Sequence, residues 1–412
     1  MTVCVQWSRF GPYHLARLRA AHAHLQPLGA DLVALETATA DAVYDWRTER
    51  AAEPFRRVQV FPGSTAEEVP ARRVVTGTWR ALDRIDPGVV AINSYSAPDA
   101  QAALLWCRRR RRIAVCMMES TAGDAARAPA REWVKRQVVG AFDAALAGGS
   151  AQRDYLVQLG FPAEAIATGY DVVDNAFFRE GAERARRDPG QARHLPGLAD
   201  PAPFFLVSGR LVARKNIALL IDAYGRYRAS AVRPWRLVVL GDGPERSALE
   251  RRAAGTDGVT FAGFRQYEDL PAYYGLAGAF VHPALVEPWG LVVNEALAAG
   301  AVAVVSDRVG SARDLIRNGE TGFTVDASDV AALAARLAEV AALPEADRQR
   351  VASAGRRHVA GWDPKAFGEG LWTAAQAGRP RADRGPSPVL VAVLQAMWWG
   401  AGAVRRSYAV PE

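Results

Sequence analysis

The apolar positions of this chain fall mostly in short continuous runs. Residues 3–7, 31–35, 89–93, 113–117 and 144–149 are dominated by Val, Ala, Leu, Ile and Met and bounded by Gly, Pro, Ser or Asn. Runs of this length suit strands buried on both faces. Between them apolar residues recur at helical spacing, as at Leu15, Leu18 and Leu25 within 13–25, and again over 97–110 and 151–159. Strands alternating with helices predict a parallel sheet covered on both sides. The alternation restarts at 204–208 and continues through 237–240, 259–264, 279–283 and 303–306, with a helix opening just after Gly290. Residues 37–74 hold turn formers without a readable period and stay unassigned. Residues 179–203, rich in Arg, Asp, Pro and Gly, read as a surface connection.

At 412 residues the chain exceeds the ~250–300 at which single cores stop growing, so two domains are expected. The boundaries read as 1–167, 168–361, and a closing segment 362–412 with a helix and an apolar, basic tail. Half the residues are hydrophobic and 23% are charged, which excludes disorder as a description of the whole chain. Cys4, Cys107 and Cys116 are odd in number and widely spaced, which argues against a disulfide framework and for a reducing compartment such as the cytoplasm. The N-terminus has no basic stretch followed by an apolar one, so nothing there marks the chain for secretion.

The net charge of +7 suits an anionic partner: a nucleotide, an acidic glycan or a membrane surface. Nucleic acid is set aside, since no zinc-finger spacing or RNA-binding aromatic signature accompanies the charge. Arg108 to Arg112 form a run of five. They are either a solvated helix end that suits the dipole, or a peripheral contact with the anionic inner face of a membrane, worth ~1 kcal/mol per basic residue. Arg127, Arg131 and Lys135, with Trp133 and Val134, offer the same two readings. The run 389–399 is apolar except for Gln395 but short of the ~20 residues of a spanning helix, so it packs on the N-terminal domain or lies at an interface.

Ligands of parallel α/β sheets bind beyond the carboxyl ends of the strands. In the first half that places Gly11, Asn93 and Tyr95 on the ligand side, with His14 and Glu119 as candidates for acceptor contact; these two also have plain structural readings, as a hydrogen-bonding group and a cap. In the second half, Gly209, Arg210 and Lys215 follow a strand and precede a helix, where cations neutralise a diphosphate. Gly241 and Gly243 follow the next strand and permit close backbone approach to a ligand. The stretch Glu287-Pro288-Trp289-Gly290-Leu291-Val292-Val293-Asn294-Glu295 puts one acid in a loop and a second in the first turn of a helix. Two acids around a helix start, with its unpaired N–H groups, suit a phosphorylated sugar.

Gly209-Arg210-Leu211 with Lys215-Asn216, Gly241-Asp242-Gly243-Pro244, Glu287-Pro288-Trp289-Gly290-Leu291 with Glu295-Ala296, Gly310, and residues 319–323 together resemble the C-terminal half of a retaining glycosyltransferase of family four. The resemblance is specific from about 166 to 372 and architectural before that. It implies the GT-B architecture, two facing Rossmann-like domains with a central cleft, the second holding a nucleotide sugar and the first most of the acceptor site. By position, Arg210 and Lys215 contact the donor diphosphate, with backbone N–H groups of Gly290, Leu291 and Val292 beside it. Glu287 holds donor sugar hydroxyls, Glu295 the ribose, and Phe264 and Arg265 the base, with Trp289 in the same donor site. The implied reaction is metal-independent hexosyl transfer with retention, from a nucleoside diphosphate sugar, UDP favoured, to a glycan, lipid-linked or small hydroxylated acceptor. No cofactor is expected beyond this co-substrate. Two departures stand out: Phe10-Gly11-Pro12 has one Gly where relatives have a pair, and Glu119 stands nearest to where many carry a His. The alternatives are a nucleotide-sugar epimerase, hydrolase or phosphorylase of the same architecture, and a non-catalytic sugar-nucleotide-binding or scaffold protein.

Overall fold

The computed structural model of the protein describes residues 1–40, 46, 52–65, 67–125, 127–379, 389, 390, 392 and 394. The chain forms two compact units, Met1–Val172 with Pro364–Glu412, and Val173–Asp363.

The first unit is built on strands β1 (Thr2–Trp7), β2 (Asp31–Ala40), β3 (Arg56–Thr65), β4 (Val89–Asn93), β5 (Ile113–Met118), β6 (Ala144–Ala147) and β7 (Ile166–Thr168). All pair in parallel, in the order β3-β2-β1-β4-β5-β6-β7. The apolar runs predict every strand but β3 and β7 in place, because those strands are covered on both faces, whereas β7 is a three-residue, partly exposed sheet edge. Val3, Cys4 and Val5 in β1 are fully buried. β3 arises inside the unassigned stretch; it is a sheet edge, half exposed along its length, and Pro62-Gly63 interrupts its apolar residues. The helix Ala71–Ile85 was equally hidden, starting after Pro70 without a side-chain cap and burying Val74, Thr78, Ala81, Leu82 and Ile85 on a narrow stripe. β7 carries this unit past residue 167, the boundary expected from sequence.

The closing helix Pro364–Ala377 belongs to this unit and packs on helix Pro12–Leu25. A Cβ at Gly368 would lie 3.0 Å from His24 Cβ and 3.2 Å from the Ala20 carbonyl, so small residues let the two backbones approach. Leu390 and Leu394 are buried in a different cluster of this unit, one that includes Leu105 and Trp106. The described part of the tail therefore packs on the unit; residues 395–412, with Trp398, Trp399, Arg405 and Arg406, lie outside the described residues.

The arginine run is largely consumed internally. Arg108 donates to buried Asp143 at 2.8 Å, Arg110 to Asp83 at 2.8 Å and Arg112 to Asp86 at 2.6 Å, while Arg109 lies over the Trp79 ring. On the helix Pro129–Val139, Lys135 pairs with Glu132 at 3.2 Å, and Arg127 just before it pairs with Asp124 and Glu132, whereas Trp133 is 51% exposed. Among the described residues no helix is long and apolar enough to cross a membrane.

The second unit holds β8 (Phe204–Ser208), β9 (Arg236–Leu240), β10 (Val259–Gly263), β11 (Ala279–His282), β12 (Ala303–Ser306) and β13 (Phe323–Val325), parallel in the order β10-β9-β8-β11-β12-β13. One expectation fails here. The supposed surface connection 179–203 begins as helix, since Asn175–Arg187 forms one turn after another, capped by Asp174 accepting from the Phe177 N–H. Its buried stripe is Phe178, Gly181, Ala182 and Ala185. Gly and Ala carry little apolar signal, yet they allow close contact with the helix Leu270–Leu276: a Cβ at Gly181 would sit 2.5 Å from Pro271.

Candidate donor site

The site of the second unit grows from the carboxyl ends of β8, β9 and β11. After β11 the chain runs through a loop to Gly290, which opens helix Leu291–Ala298 with φ +93°. An L side chain rarely adopts that angle, and a Cβ there would lie 3.2 Å from both Glu287 Cγ and Val309 Cγ1 and 3.4 Å from His282 Nε2. Glycine at 290 thus serves both conformation and space. The Gly310 N–H donates to the Glu287 carbonyl at 2.9 Å and the Ser311 N–H to the Trp289 carbonyl at 3.1 Å, pinning the loop to the segment after β12. The first-turn N–H groups of Leu291 and Val292 have no preceding helical carbonyl, so the helix start is an anion-attracting end.

Glu287 sits at the centre, 10% exposed, in an ion pair with Lys215, itself 14% exposed. Arg214 approaches at 3.9 Å, and buried His282 places Nε2 3.5 Å away, beyond a full hydrogen bond. Burial alone would raise the Glu287 carboxyl, but Lys215 and His282 outweigh it and hold it well below the usual carboxylate range. Burial in turn lowers His282, so its imidazole is neutral beside the pair. Lys215 is held by the turn after β8, where Asn216, at φ +58°, donates to the Pro283 and Ala327 carbonyls at 3.1 and 2.7 Å. Arg210 has no ion pair among the described residues.

Several expected contacts take a different form. Gly241 and Gly243 meet protein backbone: a Cβ at Gly241 would lie 1.9 Å from the Gly209 carbonyl, and one at Gly243 2.4 Å from that of Leu211. Their small size locks the β8 and β9 loops together, as does the Leu211 N–H donating to the Asp242 carbonyl at 2.9 Å. Trp289 is 2% exposed and donates from Nε1 to Asn294 Oδ1 at 2.9 Å, so it braces the loop from inside. Glu295 lies in the second turn of its helix, not the first, and is 1% exposed. One of its oxygens accepts from the Tyr274 hydroxyl at 2.7 Å. Arg265 folds back on its own strand end, donating from Nε to the Ala262 carbonyl at 2.9 Å, with Phe264 beside it after Gly263. His282 and Tyr274 were not singled out in the sequence; the only available signal was a His closing an otherwise apolar strand.

In the first unit, Gly11, His14 and Asn93 gather around Trp7. The Gly11 N–H donates to His14 Nδ1 at 3.0 Å, which places the imidazole proton on Nε2. Burial, with Arg17 and Arg9, pushes His14 down to about 3. Trp7 Nε1 donates to the Tyr170 hydroxyl at 2.9 Å, which donates to Asn93 Oδ1 at 3.0 Å. Buried Glu36 accepts from the Phe10 N–H at 2.8 Å and from Arg57 at 2.6 Å, fixing the loop that holds Gly11. Tyr95 is 8% exposed, and its burial pushes the hydroxyl up. Glu119 is exposed immediately after β5. Among the described residues no group of three or more His, Cys, Asp or Glu is placed to hold a metal ion.

Two parallel sheets of this order in one chain are the GT-B fold. A sucrose-phosphate synthase from Thermosynechococcus elongatus superposes with a TM-score of 0.68 at 19% identity, covering 89% of this chain and 96% of its own. HepE from Anabaena, in complex with UDP and glucose, gives 0.66 at 16% identity, covering 90% and 97%; at such identities the likeness is one of fold. The family model of the glycosyl transferases group 1 matches residues 192–358 of the chain. The resemblance read from the motifs is thereby borne out for family and fold. A GDP-mannose-dependent alpha-mannosyltransferase from Mycobacterium tuberculosis is 30% identical over 71% of this chain and 64% of its own length. A D-inositol 3-phosphate glycosyltransferase from Streptomyces avermitilis is 32% identical over 63% and 58%. A GDP-mannose-dependent phosphatidylinositol monomannoside mannosyltransferase from Mycolicibacterium smegmatis is 33% identical over 39% and 45%. The chain thus spans about half to two thirds of the length of these curated relatives.

Proposed function

We propose that the protein is a retaining glycosyltransferase that moves a hexosyl group from a nucleoside diphosphate sugar to a hydroxyl of a glycan, a lipid-linked glycan or a small hydroxylated acceptor. The observation that carries this reading is the Lys215–Glu287 pair beside the start of helix Leu291–Ala298. A cation and free helix N–H groups suit the charge that grows on a departing diphosphate, and an adjacent carboxylate suits sugar hydroxyls. Arg210 adds a second cation for the same oxygens. Glu295, steadied by Tyr274, accepts from ribose hydroxyls, with Phe264 and Arg265 toward the base. On the acceptor side, the Nε2–H of neutral His14 donates to a substrate oxygen, and Glu119, Asn93 and Tyr95 contribute polar contacts. Glu119 replaces a His only where protonated, since a carboxylate cannot donate. Retention follows by front-face attack, the leaving phosphate taking the acceptor proton, with no metal.

The sequence alone favoured UDP as the donor base. The GDP-mannose dependence of two of these sequence relatives favours GDP-mannose, which we place first. For a lipid-linked acceptor, exposed Trp133 with Arg131 and Arg136 is the surface we assign to peripheral membrane contact. Thermal-shift titration with GDP-, UDP-, ADP- and dTDP-sugars tests the donor, because a ligand that binds only the folded state raises its apparent stability. GDP-mannose should give the largest shift; no shift with any nucleotide sugar overturns the reading. NMR of the product's anomeric coupling tests retention.

A further inference from the structure

In the second unit a cavity of about 500 Å³ lies away from the donor loops. Pro203, Trp235, Gly278 and Val302 line it, each the residue just before β8, β9, β11 or β12. The donor loops leave these strands at their other ends. The two places are therefore separated by strands of four or five residues, about 15 Å at ~3.3 Å per residue.

One wall is the helix Glu345–Val359, whose Glu345, Arg348, Gln349, Ala352, Ser353 and Arg356 follow at helical spacing and all line the cavity. The same helix buries Val351, Gly355 and Val359 on another stripe, with Gly355 against Leu297 and the Thr321 backbone. A docked helix ordinarily gives its polar face to bulk water. Here that face lines a half-open cleft, with Glu345 and Gln349 at its exposed rim.

Arg186 enters from helix Asn175–Arg187 and donates to the Ala299 and Gly300 carbonyls at 2.7 and 3.2 Å. It caps helix Leu291–Ala298 in doing so, yet no carboxylate forms an ion pair with it among the described residues. Arg356 pairs with Glu183 at 3.1 Å; Arg348 pairs with Glu345 at 2.5 Å and lies 5.4 Å over the Trp235 ring. Three arginines against two carboxylates leave one positive charge. Burial and the neighbouring Arg356 lower the basicity of Arg186, as two cations without enough counter-charge would.

We propose that this cavity binds a small phosphomonoester, its phosphate between Arg186 and Arg356 and its hydroxylated remainder along Arg348, Gln349 and Ser353. Guanidinium groups match phosphate in geometry as well as charge. The volume falls in the ~300–1,000 Å³ range of small-molecule pockets and exceeds what a bare phosphate fills.

Isothermal titration of the whole chain with ribose 5-phosphate, and separately with inorganic phosphate, tests this in wild type, Lys215→Ala, Arg356→Ala and Ala352→Trp. One equivalent of ribose 5-phosphate should bind wild type and Lys215→Ala alike. Arg356→Ala should weaken it at least tenfold, and Ala352→Trp, which fills the cavity, should remove it while GDP binding and circular dichroism remain as in wild type. No saturable binding of either phosphate overturns the proposal. So does binding that disappears in Lys215→Ala but survives in Ala352→Trp, which would place it in the donor site. Inorganic phosphate binding as tightly as ribose 5-phosphate overturns it too, since the cavity would then be an anion contact only.

Discussion

Lys215 and Glu287 are 72 residues apart in sequence and form one largely shielded ion pair. Each is assigned to a different part of the donor, the ammonium to the diphosphate and the carboxylate to the sugar. Without donor they satisfy each other, so binding proceeds by exchange of partners. Removing Lys215 leaves the Glu287 carboxylate with only the more distant Arg214, at 3.9 Å, as counter-charge. Lys215→Ala should lower stability by about 3 kcal/mol, and adding Glu287→Gln to it should restore most of that loss. Urea unfolding of the two single variants and the double variant measures the coupling; additive effects would show that the pair is not coupled in solution.

The same pair sets an acid dependence. Glu287 has its folded pKa depressed below the ordinary 4.5, so its contribution is complete above that value and is lost as pH falls toward the folded one. Glu287→Gln should therefore flatten the decline of the unfolding free energy below about pH 4.5.

His14 titrates in a higher window. Its folded value of about 3 lies below the ordinary 6.5, so the unfolded chain takes up the proton first and stability falls as pH drops from 6.5 toward 3. His14→Gln keeps an acceptor for the Gly11 N–H and cannot be protonated there. Its melting temperature should vary less than that of wild type between pH 6.5 and 4; an unchanged slope would assign the loss to other groups.

Gly290 combines a left-handed φ with three neighbours inside 3.5 Å of a would-be Cβ. Gly290→Ala should cost about 1–3 kcal/mol in strain and displace Glu287, reducing kcat/KM for the donor far more than stability alone explains. Melting curves and kinetics on one preparation separate the two effects.

Tyr274 orients Glu295 without reaching the expected ligand position itself. Tyr274→Phe should raise KM for the nucleotide sugar several-fold with a smaller change in kcat, the pattern of weakened ground-state binding. A fall in kcat alone would place Glu295 in the chemical step.

The strands were legible where both faces are buried, because continuous apolar runs such as 3–7 and 279–283 carry their own signal. β3 was not, being a half-exposed edge broken by Pro62, and helix Asn175–Arg187 was not, because its contact stripe is Gly and Ala. In the site, the motif spacing located Glu287, Lys215 and Gly290. It did not reveal that Trp289 faces inward, that Gly241 and Gly243 serve loop packing, or that Glu295 leans on Tyr274. Those relations join segments distant in sequence, and no local pattern encodes them. His282 escaped notice for the same reason, since only the fold turns it toward Glu287.

The central claim is that Glu287 holds the transferred sugar while the cations opposite hold the diphosphate. The most direct measurement is turnover of GDP-mannose by Glu287→Gln, together with its affinity for GDP. The account predicts a loss of turnover of about 100-fold or more, with GDP bound as tightly as by wild type or more tightly, because Lys215 is released from its partner. Near wild-type turnover, or loss of GDP binding in a folded variant, would contradict it.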